Sequence, residues 1–405
     1  MLMTNKTRKR LFLCEVLLFS ILFLSSSYTV VYDCISSSLT IALWLIVLFL
    51  ILLFGKPSFK HLPVFLVLMV AFWASFLVNR EELVVHLKIC FGLCVGYLFF
   101  ESFPFSLFKK AYINVMIFIS VYSVLFLLAF RTIPFLSSFS LLNVPNQGFA
   151  SIVFFTYTGS LRNCGLFWEP GAFQAFLGVA VIFELVNKNY RSLKTLLLIA
   201  TMVTTFSTTA FFAVGLFLIF LSFDGKKRTR IKTISRVLIV ISMIAVLVFS
   251  DYLFNGAYSV FGKLSQFASN KETSTFTTNI RYWATIKPLE GFLTSPIFGL
   301  GNYGLTDYAI DYTFGMNTNT VINFFAVYGI VYGILAMTGI FKAVVYEKTL
   351  RSIICFFLFL LLIISENFVN NPLFLIIILY GLSISKKDIR SRRVSLSKEM
   401  IVVNK

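Results

Sequence analysis

Apolar runs long enough to cross about 30 Å of hydrocarbon recur along the chain, near residues 11–31, 36–54, 62–79, 89–108, 111–130, 171–187, 237–254, 320–341, 352–369 and, shorter, 372–385. Each predicts a helix, because in lipid only a helix or a closed barrel satisfies its own backbone. The run 195–222 is different. It has 28 residues and basic flanks on both sides, Lys188, Arg191 and Lys194 before it and Lys226, Lys227, Arg228 and Arg230 after it. Basic clusters beside a span belong on the cytoplasmic side, so this run is expected to cross twice or to dip and return. Its polar midpoint, Thr204-Thr205-Phe206-Ser207-Thr208-Thr209, is the expected tip. Two arms of about a dozen residues fall short of a span. The hairpin therefore belongs inside the bundle, with its hydroxyls bonded there or facing a water-filled cavity.

With the hairpin counted as two passes, the pattern predicts an all-α polytopic membrane protein of about twelve passes, one integral domain over 1–405 with both ends cytoplasmic. Charge agrees, since 27 of the 35 Lys and Arg then face the cytoplasm. A single pass at 195–222 would invert everything downstream and erase that bias. Two outward segments are substantial, 131–170 and 255–319, and the tail 386–405 is cytoplasmic. Composition fits a membrane class, with 58% hydrophobic residues, 13% charged and a mean hydropathy of +0.89. The formal charge of +18 is carried in short clusters between apolar runs, which is the positive-inside pattern and not the footprint of a nucleic-acid binder. The cluster from Lys6 to Arg10 ahead of Leu11 resembles a secretory signal, but the long apolar run without a small-x-small site favours an uncleaved first span. No internal repeat is evident, which weighs against transporters built from inverted repeats. Six cysteines and two histidines show no metal-ligand spacing. Cys14, Cys90, Cys94 and Cys355 lie in apolar runs as small hydrophobes, while Cys34 and Cys164 are placed where an oxidising side would let them pair.

Chemistry concentrates in Arg162-Asn163-Cys164-Gly165-Leu166-Phe167-Trp168-Glu169-Pro170-Gly171, where a cation and a carboxylate precede a hydrophobic helix. Charge that close to hydrocarbon usually has a function. Arg162 and Arg281 offer planar, permanently charged forks suited to a diphosphate; the plainer alternative is pairing with loop carboxylates or lipid headgroups. Glu169 reads either as an N-cap ahead of Pro170 or as a general base at the lip of a cavity. Glu366, in Ser365-Glu366-Asn367 before the turn Asn370-Asn371-Pro372, is a second acid in that cavity or a cap. Asp307 and Asp311, spaced i,i+4, hold a divalent ion or form a solvated face. Asn317, Thr318, Asn319, Thr320 and Asn323 lead into a span carrying Tyr328-Gly329 and Tyr332-Gly333. Amides, hydroxyls and tyrosines suit sugar hydroxyls, and the glycines suit close helix packing.

Together these features resemble the O-antigen polymerase (Wzy) family, bacterial inner-membrane enzymes that extend surface polysaccharide on a polyprenyl carrier. The resemblance rests on Arg162 followed by Gly165-Leu166-Phe167 and Glu169-Pro170-Gly171, then the Ser207-Thr208-Thr209 break. Further on come the loop with Arg281 and Pro296-Ile297-Phe298-Gly299-Leu300-Gly301, Asn317 to Thr320 before the Tyr328-Gly329 span, and the turn from Glu366-Asn367 to Pro372. It covers roughly residues 150–385, and the order of the motifs is more specific than any one of them. It implies a GT-C-like helical bundle and an inverting, nucleotide-independent glycosyltransferase without cofactor. Such an enzyme acts on polyprenyl-diphosphate-linked oligosaccharide in the bilayer, with a chain-length regulator as a further partner. The chemistry fits the residues, with Arg162 and Arg281 stabilising the leaving diphosphate and Glu169 taking the proton of the accepting hydroxyl. Asn317, Thr318, Asn319, Tyr328, Glu366 and Asn367 are the expected substrate contacts. The related O-antigen ligases typically carry a histidine in the second large outward loop; here the histidines are His61 and His86, which favours the polymerase. A flippase or carrier would need a cationic path between two similar halves, whereas these charges gather at one membrane face.

Overall fold

The computed structural model describes residues 4–26, 36–133, 150–152, 155–157, 162–187, 192–223, 276–313, 318–345 and 349–384. Among them are thirteen α-helices: α1 (Asn5–Ser26), α2 (Ser37–Leu50, continued by one π turn, Ile51–Gly55), α3 (Leu62–Asn79), α4 (Leu83–Ser102), α5 (Phe105–Thr132), α6 (Pro170–Val186), α7 (Leu193–Thr204), α8 (Thr208–Phe223), α9 (Phe276–Thr294), α10 (Gly301–Thr313), α11 (Thr320–Val344), α12 (Leu350–Ile364) and α13 (Pro372–Ser383). Five stretches, Ser38–Gly55, Leu62–Asn79, Leu83–Ser102, Phe105–Thr132 and Thr320–Val344, are long and apolar enough to cross a membrane. The chain is a helical membrane protein.

Two short helices occupy the centre. In α6 every residue from Ala172 to Val186 is buried, and in α13 every residue from Pro372 to Gly381. A helix that is apolar all round is one enclosed by protein. α13 packs on α11 and α4, and α6 on α12, α7 and α5. α2 and α3 instead leave Leu45, Ile46, Phe49, Leu66, Val67 and Val70 exposed, as a rim facing hydrocarbon would.

Polar contacts sort the helix ends into two groups. At one end Arg10 reaches the Ser102 carbonyl at 2.8 Å, Lys109 reaches Asn187 at 2.8 Å and Lys194 reaches Asn114 at 2.7 Å. These join the starts of α1, α5 and α7 to the finishes of α4 and α6. At the other end Asn163, just ahead of α6, receives the finish of α7 (Asn163 N to Thr204 O, 3.0 Å). The 195–222 run breaks where the sequence predicts, with Thr205, Phe206 and Ser207 between α7 and α8 and Phe206 at φ 44°. Ile199 and Met202 on α7 and Ala213, Val214 and Phe217 on α8 line one pocket with Gly178, Val181, Leu358 and Leu362. A continuous helix would hold Ile199 and Phe217 about 27 Å apart, so the chain reverses. The pass expected at 237–254 lies outside the described residues.

Two expectations are corrected. The runs 89–108 and 111–130 are instead α4 and α5, separated at Phe103 and Pro104. The residue before proline is pushed out of the α region, and Phe103 has φ −125° and ψ 137°. The all-α expectation holds for the bundle, but the segment 131–170 adds a small antiparallel hairpin, Ala150–Ile152 against Phe155–Tyr157. Its β-branched and aromatic residues, Ile152, Val153, Phe154, Phe155, Thr156 and Tyr157, were the available signal.

α11 is also broken, at Gly329 (φ 79°, ψ −179°). In a continuous helix the Ile330 N–H would bond the Ala326 carbonyl. Here Ile330 N donates to Pro296 O at 2.8 Å, and Ala326 O accepts from Leu300 N at 2.7 Å. The loop between α9 and α10 thus takes over both halves of the missing bond, and Ser75 Oγ adds a bond to Val327 O at 2.8 Å. Broken helices are tolerated at depth where neighbours re-satisfy the backbone in this way. A Cβ at Gly329 would overlap the Ile297 carbonyl, so the position requires glycine twice over.

Candidate functional site

The Arg162–Gly171 segment is held from two sides. On the first, Asn163 is fully buried and uses its whole amide: Nδ2 donates to Ser123 Oγ at 3.1 Å and Thr204 Oγ1 at 3.0 Å, and Oδ1 accepts from Gly165 N at 2.9 Å. Arg162 lies beside it, half-buried, with Nε donating to Thr205 O at 3.3 Å. The decapeptide is therefore stapled to the tip of the α7–α8 hairpin. Gly165 (φ 57°) turns the chain against the Phe173 ring, and Phe167 stacks on Phe173 and Phe176. These rings hold the segment on the first turns of α6.

On the second side lies the α12–α13 turn. Trp168 Nε1 donates to Glu366 Oε2 at 3.3 Å, and Trp168 packs on Phe368 at 5.9 Å. The turn is pinned to α11, because Thr320 N (3.0 Å) and Thr320 Oγ1 (2.5 Å) both donate to the Glu366 carbonyl. Thr320 Oγ1 in turn accepts from Phe368 N at 2.8 Å. Glu366 is buried, and its Oε1 lies against the position a Cβ would take at Gly171. Glu169 Oε1 lies 3.5 Å from that same position. The two acids considered for one site are thus neighbours over the first turn of α6.

Glu169 occupies the N-cap position of α6 with extended φ and ψ, yet its side chain makes no capping hydrogen bond. Its backbone carbonyl does the helical work by accepting from Phe173 N at 3.2 Å. The carboxylate is accordingly not committed to the cap.

Other expected site residues are placed as follows. Arg281 falls within α9 at a position whose side chain is outside the described residues, as is Asn317 altogether, so the convergence of Arg162 with Arg281 lies there too. Asn319 (φ 77°) caps α11, its Oδ1 accepting from Ile322 N at 3.3 Å, and Thr318 O accepts from Asn323 Nδ2 at 3.2 Å. Tyr328 is buried within the fold: it donates to Asn370 Oδ1 and accepts from Asn302 Nδ2 at 3.4 Å. Asn367 is exposed and folds its own turn, Oδ1 accepting from Val369 N at 3.2 Å. Asp307 and Asp311 are exposed on α10, and no group of three metal-binding side chains occurs among the described residues. Cys164 is buried, and Cys34, with any pairing between the two, lies outside the described residues.

A second polar cluster at this end went unread in the sequence. Glu81, in the turn between α3 and α4, accepts from the Asn302 and Tyr303 amides at the start of α10, the latter at 3.2 Å, and from His86 Nδ1 at 3.3 Å. Burial pushes the Glu81 carboxyl up, but the bonds from His86, Tyr303 and Asn302 outweigh it and hold the group below its ordinary value. His86 is stacked on Phe72 at 3.8 Å, and Asn302 continues the chain of bonds to Asn370 at 2.8 Å. The signal was the adjacent pair Glu81-Glu82 followed by His86 between two apolar runs.

Comparison with known proteins gives no neighbour: no family model, no curated protein and no solved structure matches the chain.

Proposed function

We propose that this protein polymerises lipid-linked oligosaccharide repeat units into a surface polysaccharide on the outward face of a bacterial inner membrane, as a twelve-pass enzyme with both termini cytoplasmic. The observation that carries the reading is the juxtaposition at one bundle end of an arginine with two carboxylates over a helix start, Arg162 with Glu169 and Glu366. In the reaction the acceptor hydroxyl oxygen forms a bond to the anomeric carbon of the growing glycan. The bond from that carbon to the diphosphate oxygen breaks, and its electron pair leaves with polyprenyl diphosphate. Glu169 takes the hydroxyl proton. Arg162 and Arg281 stabilise the charge that develops on the leaving diphosphate, which is where preorganised donors lower a barrier most. Glu366 with Asn317, Thr318, Asn319, Tyr328 and Asn367 borders the saccharide path, and a chain-length regulator would act on this same face.

The test is the surface polysaccharide of cells lacking the protein. A product one repeat long identifies a polymerase, whereas lipid-linked polymer that is never transferred identifies a ligase. Accumulation of lipid-linked units facing the cytoplasm identifies a flippase. Arg162→Lys keeps the charge and loses the fork; a sharp loss of polymer at unchanged protein level is expected, and a normal ladder rules out a bidentate diphosphate role.

A further inference from the structure

Two buried amide oxygens flank the α12–α13 turn and accept no hydrogen bond among the described residues: Gln174 Oε1 and Asn323 Oδ1. Both residues are 0% exposed. Their amide orientations are fixed by their other halves. Gln174 Nε2 donates to Ser365 Oγ at 3.3 Å, and the Ser365 hydroxyl proton is already given to Leu362 O at 2.9 Å. Asn323 Nδ2 donates to the Thr318 carbonyl at 3.2 Å. Turning Asn323 over would set its oxygen against the Thr318 carbonyl with no proton to share, and turning Gln174 over would take the Ser365 proton from the Leu362 carbonyl; as placed, the carbonyl oxygens are the unfilled ends. Buried polar groups are nearly always bonded, and two such acceptors beside one turn call for a donor.

Their placement says where that donor enters. Gln174 lies one helical turn past Gly171, and side chains on a helix lean towards its N-terminus. Its amide therefore leans back to the spot where Glu366 Oε1 and Glu169 Oε1 meet Gly171. Asn323 lies one turn past Thr320, whose hydroxyl holds the Glu366 carbonyl. Trp168 stands half-buried at the edge, its indole N–H on Glu366. The charges at this spot, Glu169 and Glu366, are negative and the amide oxygens of Gln174 and Asn323 accept, so the fitting occupant is a neutral ring rich in donors, with an apolar face for the indole.

We propose that Trp168, Gln174, Asn323 and Glu366 form the subsite for the accepting sugar, a hydroxyl-donating ring whose nucleophilic oxygen is presented to Glu169, apart from the diphosphate spot at Arg162. The inference rests on the polymerase reading above. Trp168, Gln174 and Asn323 act here as binding residues.

The experiment uses the full chain in nanodiscs, with polymer-bearing donor held saturating and a single lipid-linked repeat unit, isolated from the source cells, varied as acceptor. Gln174→Met and Asn323→Leu keep volume and remove the oxygen. Each is expected to raise the acceptor KM by about ten-fold or more while kcat holds within about two-fold. Gln174→Glu retains an acceptor oxygen and should keep KM nearer the wild-type value. Undecaprenyl diphosphate without sugar should inhibit wild type and Gln174→Met equally. Trp168→Ala, at the edge, keeps the test readable should a buried variant fail to fold. Wild-type acceptor KM in Gln174→Met and Trp168→Ala overturns the subsite, as does a kcat loss at unchanged KM, which an internal water or a packing role would give. A wild-type protein that extends no lipid-linked unit overturns the polymerase reading itself, and that result precedes any variant.

Discussion

Two glutamates at the same end of the bundle are placed alike and used differently. Glu81 and Glu366 each leave their own turn to rest against a glycine at the start of another helix, Gly301 of α10 and Gly171 of α6. Glu81 spends its carboxylate there, on the Asn302 and Tyr303 amides and on His86. A carboxylate on the exposed amides of a helix start is a lock, since the dipole and the unsatisfied N–H groups both favour it. Around Glu366 the pattern differs. An indole donates to its side chain, a second carboxylate stands close by, and on the same helix as Gly171 the buried Gln174 has an amide oxygen that accepts no hydrogen bond among the described residues. Burial of an acid alone does not distinguish the two turns; the groups set around it do, and on the proposed function that difference separates a lock from a reacting site.

The largest effect that separates the two turns is expected at Glu169. Because its side chain makes no capping bond, Glu169→Gln should cost less than about 1 kcal/mol of stability, the helix-dipole contribution alone. Loss of a general base should lower turnover by about 10²–10⁴-fold. Melting temperature and polymer formation by the same purified variant measure both. Wild-type turnover would move the base to Glu366 or leave the arginines as the main source of catalysis.

Much of this arrangement was legible before any coordinates. Basic flanks on both sides of 195–222 call for a reversal, and the reversal falls at Thr205 to Ser207, where five hydroxyl residues from Thr204 to Thr209 compete with the helix for backbone bonds. Glu169 and Glu366 were named as possible partners, and they do meet over Gly171. What could not be read is which polar groups answer one another between elements distant in the chain. Nothing in the sequence sets Asn163 apart from its neighbours, yet it ties α5, α6 and the hairpin tip together. Gly329 looked like a packing glycine in a Tyr-Gly repeat, and only the α9–α10 loop, adjacent in space, explains why the helix breaks there and not at Gly333. Gln174 was invisible because a single amide in an apolar run has no periodicity to betray it.

The glycines sharpen the comparison at the next level down. Gly301 has φ 72°, and a Cβ there would press on Glu81 Oε1 at 2.6 Å. Backbone strain and crowding then add, and Gly301→Ala should cost about 2–4 kcal/mol in stability. No left-handed conformation is involved at Gly171, so Gly171→Ala should cost about 1–3 kcal/mol through crowding of Glu366 alone. Function should rank them the other way. Gly171→Ala displaces a carboxylate of the proposed reacting site and should lose more polymer per unit of stability lost. Thermal unfolding in detergent beside polymer ladders decides it; the same ratio of activity to stability in both variants would remove the distinction drawn between the two turns.

The smallest effect concerns the lock itself. Glu81 is held below its ordinary carboxyl value, so its folded state prefers the ionised form more than the unfolded chain does. Its contribution is therefore present above the unfolded value, near 4.3 for a glutamate, and is lost as pH falls through the lower folded value. Glu81→Gln removes that dependence. Hydrogen bonds to a charged group are worth about 1.5–3 kcal/mol and neutral ones about 0.5–1.5, so the variant should lose about 1–2 kcal/mol at pH 7 while still extending polymer. Melting curves from pH 7 down to pH 3 provide the measurement. Wild type and variant should converge at the acid end, because the protonated wild-type acid and the amide then offer α10 similar, uncharged acceptors. Parallel curves with a constant gap would mean that shape and not charge holds this turn, and the contrast with the turn at Glu366 would rest on packing.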